Sequence, residues 1–198
     1  MPKKKEKQFQ VTRTTIRVKQ RASVQTIYQG RVFSVKRHEA EEPGGVRVVR
    51  DVIHHPGSAV ILPLFRDRRI LMIRQYRLAV GAVIWELPAG TIDRSETPIQ
   101  TARRELAEET GYRSSHWRKL HSFFPSPGLM AERMHLYLAQ DIRPGTASPE
   151  GDEQISAHSF SLAELLRLIR AGKIIDAKSL VALLYWARWK SELAAGGN

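Results

Sequence analysis

The chain has 198 residues, no cysteine and a formal net charge of +12. That length suits one domain with a sizeable core, and the lack of cysteine excludes disulfide scaffolds, zinc–thiolate ribbons and thiolate nucleophiles. The longest apolar runs, AVILPLF at 59–65 and LVALLYW at 180–186, are far too short to span a bilayer, so the expectation is a cytoplasmic protein with no membrane partner.

Residues 1–30 hold eight basic residues (Lys3, Lys4, Lys5, Lys7, Arg13, Arg17, Lys19 and Arg21) against Glu6 alone. Such an arm can bind nucleic acid by releasing counterions from phosphates. Its charges follow a tail rather than a periodic face interleaved with aromatics, so residues 1–20 read as a basic, flexible arm and a nucleic-acid partner is not expected. The positive charge on the rest of the chain suits an anionic substrate.

Residues 21–56 read as N-terminal antiparallel strands. VQTIYQGRVFSVKRHEA and GVRVVRDVIHH are rich in β-branched residues and flank EEPGG, a Pro-Gly-Gly turn that predicts a hairpin. His54 and His55 have no partner at metal-ligand spacing and read as strand residues. From residue 57 to 198 a second unit begins with AVILPLF, the charged corner RDRR, ILMIRQYRLAV and VIWELPAG, which predict central strands. A helix follows: Thr97 can cap, Pro98 suits the first turn, Gln100 can complete a capping box and Gly111 marks the end. HSFFPSPGLMAERMHLYLAQ predicts a strand, a proline-glycine loop and another strand before the polar loop RPGTASPEGDE. Ser161 and Glu164 form a second capping box on a short helix that runs to Gly172. Asp176 caps a last helix whose Leu180, Leu183, Leu184 and Trp186 make an apolar stripe, and Trp85, Trp117, Trp186 and Trp189 read as core or interface aromatics. Strands bracketed by helices predict a mixed sheet packed between helical layers.

The stretch GTIDRSETPIQTARRELAEETGY, from Gly90 to Tyr112, carries the chemistry. At about 100° per residue, Ile99, Ala102, Leu106 and Thr110 share one stripe, and Glu105, Glu108 and Glu109 occupy the neighbouring arc. Like charges at that spacing repel, and a solvated acidic face needs no more than Arg104 pairing with Glu108 at i,i+4. The helix is tied to a specific loop, however, with Gly90, Glu96, Arg104-Glu105, Glu108-Glu109 and Gly111 at fixed intervals. At roughly 6–7% per residue type, seven such positions match by chance on the order of once in 10⁸ starting points. Hydrolysis of a pyrophosphate needs cations that neutralise the phosphates and hold a water for in-line attack. Clustered carboxylates on a rigid helix bind hard cations such as Mg²⁺, with Mn²⁺ as an alternative.

This pattern resembles the Nudix box, at all 23 positions but Tyr112, where an aliphatic residue is more usual. The resemblance implies a Nudix-type α/β/α sandwich with a mixed sheet, plus the small N-terminal antiparallel sheet. It also implies Glu105 and Glu109 as the principal metal ligands, Glu108 beside them as a further ligand or water-orienting group, and the backbone carbonyl of Ala89 reaching a metal. Glu96 and Arg104 then hold the loop against the helix. Two features look like the ADP-ribose pyrophosphatase subgroup. One is Ser126-Pro127-Gly128 followed by Glu132, which matches its substrate loop; the other is RQYR followed by WELPAG, where Arg77 would hold phosphate and Glu86 would lie near the terminal ribose or the metals. Arg50-Asp51 before HHPGSAV resembles the subgroup's N-terminal strand pair, which implies a homodimer whose partner helps enclose the adenine. The acidic loop PEGDEQI resembles the one that brings the base to the metals, with Glu153 the best-aligned carboxylate and Glu150 and Asp152 as alternatives.

The expected function is therefore metal-dependent hydrolysis of ADP-ribose, or a related nucleoside diphosphate sugar, to AMP and ribose 5-phosphate. GDP-mannose, ADP-glucose and UDP-sugars remain open as substrates. A reading from another class is a Nudix-like RNA-binding or ligand-sensing module without catalysis, helped by the basic arm. The intact set Gly90, Arg104, Glu105, Glu108 and Glu109 weighs against it.

Overall fold

The computed structural model describes residues 23–42, 44–145 and 155–195. The basic arm and the carboxylates Glu150, Asp152 and Glu153 lie outside the described residues. An antiparallel sheet comes first, built from β1 (Ser23–Gln29), β2 (Ser34–Glu42) and β3 (Val46–His54) in that order. The stretch 24–40, read from sequence as one strand-forming segment, breaks at 30–33, where the Gly30 N–H donates to the Phe33 carbonyl at 2.9 Å. The sheet thus has three strands rather than a single hairpin. In the β2–β3 turn, Gly44 and Gly45 take φ of 97° and 81°, a region open to glycine and rarely to other residues.

The larger sheet opens with β4 (Ser58–Leu64), β5 (Ile70–Arg77), β6 (Ala82–Glu86) and β7 (Ala89–Thr91). Then come α1 (Pro98–Thr110), β8 (Tyr112–Arg113), β9 (His116–Phe123), β10 (Met134–Gln140), β11 (Arg143–Pro144), β12 (Ser156–Phe160), α2 (Leu162–Arg170) and α3 (Ala177–Ala195). Its order is β12-β5-β4-β10-β9, with β6 on β5 and β7 on β4, and β8 pairs with β11 separately. Only the β4–β10 pairing is parallel, so the sheet is mixed.

Every residue of β4 is buried, as a near-continuous apolar run requires of a strand covered on both faces. Its alternation separates two cores. Ala59 and Ile61 pack with Ala102 and Leu106 of α1, together with Tyr137, Ala139 and Ile142. Val60, Leu62 and Leu64 pack on the other face with Leu165 of α2 and Ala182, Leu183 and Trp186 of α3. Helices on both faces of a mixed sheet make the expected α/β/α sandwich. The apolar stripe of α3 differs from expectation at one position, because Leu184 is exposed beside Val181 while Ala182 takes its place inside. Trp189 is likewise exposed, with the Arg188 guanidinium 4.4 Å over its ring. No helix among the described residues is long and apolar enough to cross a membrane.

Local chemistry fixes α1 against the sheet. The Gln100 side chain accepts from the Thr97 N–H at 2.8 Å, and Gly111 at the C-terminus donates its N–H to the Ala107 carbonyl at 2.9 Å. Thr101, Ala102, Leu106 and Ala107 form the buried face. The neighbouring arc of glutamates is left at the rim, facing β7.

Candidate active site

Gly90 and Glu105 meet where β7 passes α1. An ideal Cβ on Gly90 would lie 1.7 Å from Glu105 Oε1 and 1.9 Å from its Cδ, so only glycine lets the carboxylate lie across the loop backbone. One turn further along the helix, Glu109 Oε2 accepts the Ala89 N–H at 3.0 Å. The strand's first residue is thereby held by one helix carboxylate, and its central glycine lies against another.

Arg104 ties the rest together. Its Nε and Nη2 donate to the two Glu96 oxygens at 2.9 and 3.0 Å, and its Nη1 donates to Glu105 Oε1 and Glu108 Oε2, both at 2.8 Å. Thr101 adds a hydroxyl bond to Glu96 at 2.8 Å. The Arg104 hydrogen bonds, against a smaller opposing effect of burial, hold the Glu96 carboxyl below its ordinary range. Glu96, ahead of Glu108 and Glu105, in turn raises the basicity of Arg104. The sequence reading gives Arg104 a supporting role toward the loop. The structure adds that its guanidinium neutralises two of the three rim carboxylates.

Ala89, Gly90, Arg104 and the three glutamates Glu105, Glu108 and Glu109 line a cavity of about 760 Å³ with Arg77 from β5, Arg31 and Val32 from the β1–β2 turn, and Ile155 and Ala157 from the approach to and start of β12. That volume suits a nucleotide-sized ligand. Arg77 and Arg31 line the same cavity as the carboxylates, a set of charges suited to an anionic ligand bridged by cations. The carboxylates do not converge as they stand: among the described residues, no group of three His, Asp or Glu is arranged to hold a metal ion. Glu105 and Glu108 turn toward Arg104, and Glu109 toward Ala89. The donors are all hard oxygens on one helix, which fits a small divalent cation in chemistry.

Several residues expected to touch substrate are not among those lining this cavity. Glu86 is 1% exposed, its oxygens accepting from Arg77 Nε at 2.7 Å and Nη2 at 2.8 Å; it holds the arginine that lines the cavity. Glu132 is also buried, accepting the Ser58 hydroxyl at 2.5 Å, with His55 Nδ1 3.6 Å away. It anchors the proline-glycine loop, whose Leu129 carbonyl and Ala131 N–H bond to Ile53 at 3.0 and 2.8 Å. Gly128 in that loop has open space where a side chain would be. Arg50 is exposed on β3, 3.4 Å from Glu42, and is not among the residues lining the cavity. His54 stacks on His38, with ring centroids 5.1 Å apart, as a strand residue. The proposed base Glu153 lies outside the described residues.

Sequence reasoning missed Arg31, which sits in a turn without proline or asparagine to mark it. It also missed Lys178 and Ser179, buried in the first turn of α3. Lys178 did leave a signal: it falls on the stripe of Ala182 and Trp186 at i+4 and i+8, and a lysine on an apolar face must be paired.

The sequence pattern of the NUDIX domain family matches residues 54–183. The chain is 35% identical over 161 residues to the methanol dehydrogenase activator of Bacillus methanolicus, covering 80% of this chain and 87% of that one. It is 32% identical to the ADP-ribose pyrophosphatase of Bacillus subtilis (strain 168) over the same shares. A solved ADP compounds hydrolase superposes with a TM-score of 0.75 at 24% identity, covering 88% of this chain and 96% of that one, which shows the fold. With the box geometry and these matches together, the chain belongs to the NUDIX family and is a Nudix hydrolase similar to the ADP-ribose pyrophosphatases.

Proposed function

We propose that the protein hydrolyses the pyrophosphate of ADP-ribose, or of a related nucleoside diphosphate sugar, to AMP and ribose 5-phosphate. The observation that carries this reading is the single cavity in which Glu105, Glu108 and Glu109 stand with Arg77 and Arg31. The similarity to an ADP-ribose pyrophosphatase supports the choice of substrate. Glu105 and Glu109, with the Ala89 carbonyl, would hold Mg²⁺ or Mn²⁺, which when bound supplies charge neutralisation at the phosphates and a more acidic water.

The chain's own groups do the rest. Arg77 and Arg31 attract and orient the pyrophosphate. Arg104 holds Glu105 and Glu108 in place at the rim, a requirement for any cation site. Glu108 orients the attacking water, and Glu153, on the acidic loop before β12, takes its proton. The proline-glycine loop, fixed by Glu132 to Ser58, shapes the sugar side, with Gly128 leaving room there. We place the arm at residues 1–20, the N-terminal sheet at 21–56 and the hydrolase unit at 57–198. The exposed Val24, Ile27, Val46 and Val49 of that sheet suit burial against a second copy of the chain, with Arg50 reaching the partner's substrate.

A substrate panel tests the reading. The protein is incubated with Mg²⁺ and each of ADP-ribose, ADP-glucose, GDP-mannose, UDP-glucose and capped RNA, and products are identified by chromatography. ADP-ribose is expected to give the highest kcat/KM, about tenfold or more above the others. A clear preference for GDP-mannose or UDP-glucose would reassign the substrate.

A further inference from the structure

Arg77 reaches the cavity wall from the end of β5, and its guanidinium is held from behind by both oxygens of Glu86. Glu86 in turn accepts from Lys178 Nζ of α3, and Lys178 lies 3.1 Å from Asp176 Oδ1. Glu86 is 1% exposed and Lys178 8%, so neither charge is carried by water and each depends on its neighbours. Burial pushes the Glu86 carboxyl up, but the Arg77 hydrogen bonds and the charge of Lys178 together outweigh it and keep the group ionised. The four groups form a row of alternating sign, Arg77, Glu86, Lys178, Asp176. Its cationic end lines the cavity.

That order has an electrostatic consequence. A buried carboxylate in a bidentate pair with Arg77 alone would cancel most of the arginine's field, leaving little for an anionic ligand. Lys178 shares the same carboxylate oxygen and offsets part of that charge. Stability does not explain the lysine, because position 178 lies on the apolar stripe of α3, where a methionine or leucine could pack, and buried ion pairs are weak stabilisers compared with such packing.

We propose that Lys178 is a positioning residue for the reaction: by sharing the Glu86 carboxylate it fixes Arg77 at the cavity wall and leaves the arginine's charge available to the substrate pyrophosphate. This rests on the reading above that Arg77 meets the pyrophosphate. Lys178 itself touches no substrate.

The test is steady-state kinetics on ADP-ribose with a calorimetric Kd for AMP, using wild type, Lys178→Met, Lys178→Arg, Arg77→Ala and the Arg77→Ala/Lys178→Met double variant. Lys178→Met is expected to raise KM and the AMP Kd about tenfold while kcat stays within about threefold. Lys178→Arg restores both. In the Arg77→Ala background the Lys178 change moves KM by less than about twofold, because the two residues act as one unit. An unchanged KM in Lys178→Met, a fall in kcat alone, or a tenfold effect persisting without Arg77 overturns the proposal. Should Lys178→Met fold poorly, Lys178→Gln keeps a polar group beside Glu86 while removing the charge and is expected to raise KM likewise; an unchanged KM there also overturns it. If wild type hydrolyses another nucleotide of the panel instead of ADP-ribose, the substrate reading fails separately, and the same comparison is run on that nucleotide.

Discussion

A methyl group on Gly90 would meet the end of Glu105 at well under contact distance, so Gly90→Ala drives that carboxylate off the loop and away from Arg104. Position 90 lies in a strand and has no positive φ, which leaves the backbone at ease with alanine. The expected outcome is a fall in kcat of about 10–100-fold, the usual loss when a ligand's support is disturbed, with an unfolding free energy within about 1 kcal/mol of wild type. Kinetics and a urea titration measure the two together. Unaltered turnover would show that Glu105 works without its place across the loop. Arg104 makes the residue-scale logic visible from the other side, since one guanidinium serves Glu96, Glu105 and Glu108 at once. The spacing of the box disclosed the Glu108 contact as an i,i+4 pair. It could not disclose the contact to Glu105, an adjacent residue, which depends on the rotamer that Gly90 permits.

At the scale of elements, α1 is written almost entirely in its sequence. Thr97 and Gln100 start it, Gly111 ends it, and Ala102 and Leu106 turn it toward β4. The first turn of α3 contributes something less legible. Ser179 Oγ accepts the Leu87 N–H at 2.7 Å and donates to Asp176 Oδ2 at 2.6 Å, so the helix cap also holds the strand end that leads into Ala89 and Gly90. Ser179→Ala leaves the Leu87 N–H buried without its partner and is expected to destabilise the fold by about 1–3 kcal/mol. A shift of the urea midpoint with unchanged slope reads that cost; no shift would mean that water or a backbone carbonyl replaces the serine. The β1–β2 break went unread for a related reason. Gly30 to Phe33 contains no turn residue beyond one glycine and is flanked by strand formers, so strand preference masks a turn closed by the Gly30–Phe33 bond and the pairing of Gln29 with Ser34. Leu184 shows the limit of stripe counting: helical period alone does not tell which edge of a wide apolar arc meets the sheet.

Across the whole molecule, two cores on opposite faces of one mixed sheet set the glutamate arc of α1 in a cavity that Arg77 of β5 and Arg31 of the β1–β2 turn also line. The sandwich and the box were legible because both rest on local spacing: alternation in strands, period in helices, fixed offsets in the motif. The arginines of the cavity were half legible, with Arg77 expected from the sequence and Arg31 missed, since a turn from a separate sheet joins the cavity only through the fold. Glu86 and Glu132, expected at the substrate by resemblance, are buried and are not among the residues lining the cavity, because a strand or loop position is easier to read from sequence than whether its carboxylate meets a ligand or a neighbouring group. What unites these parts is the claim that the acidic arc is a cation site for pyrophosphate hydrolysis. The measurement that tests it most directly is AMP release from ADP-ribose across a Mg²⁺ titration, in wild type and Glu109→Gln. The account predicts turnover that rises with Mg²⁺ and vanishes in EDTA in wild type, and a drop of about 100-fold or more in Glu109→Gln. Full turnover in the Glu109→Gln protein, or release indifferent to EDTA, would contradict it.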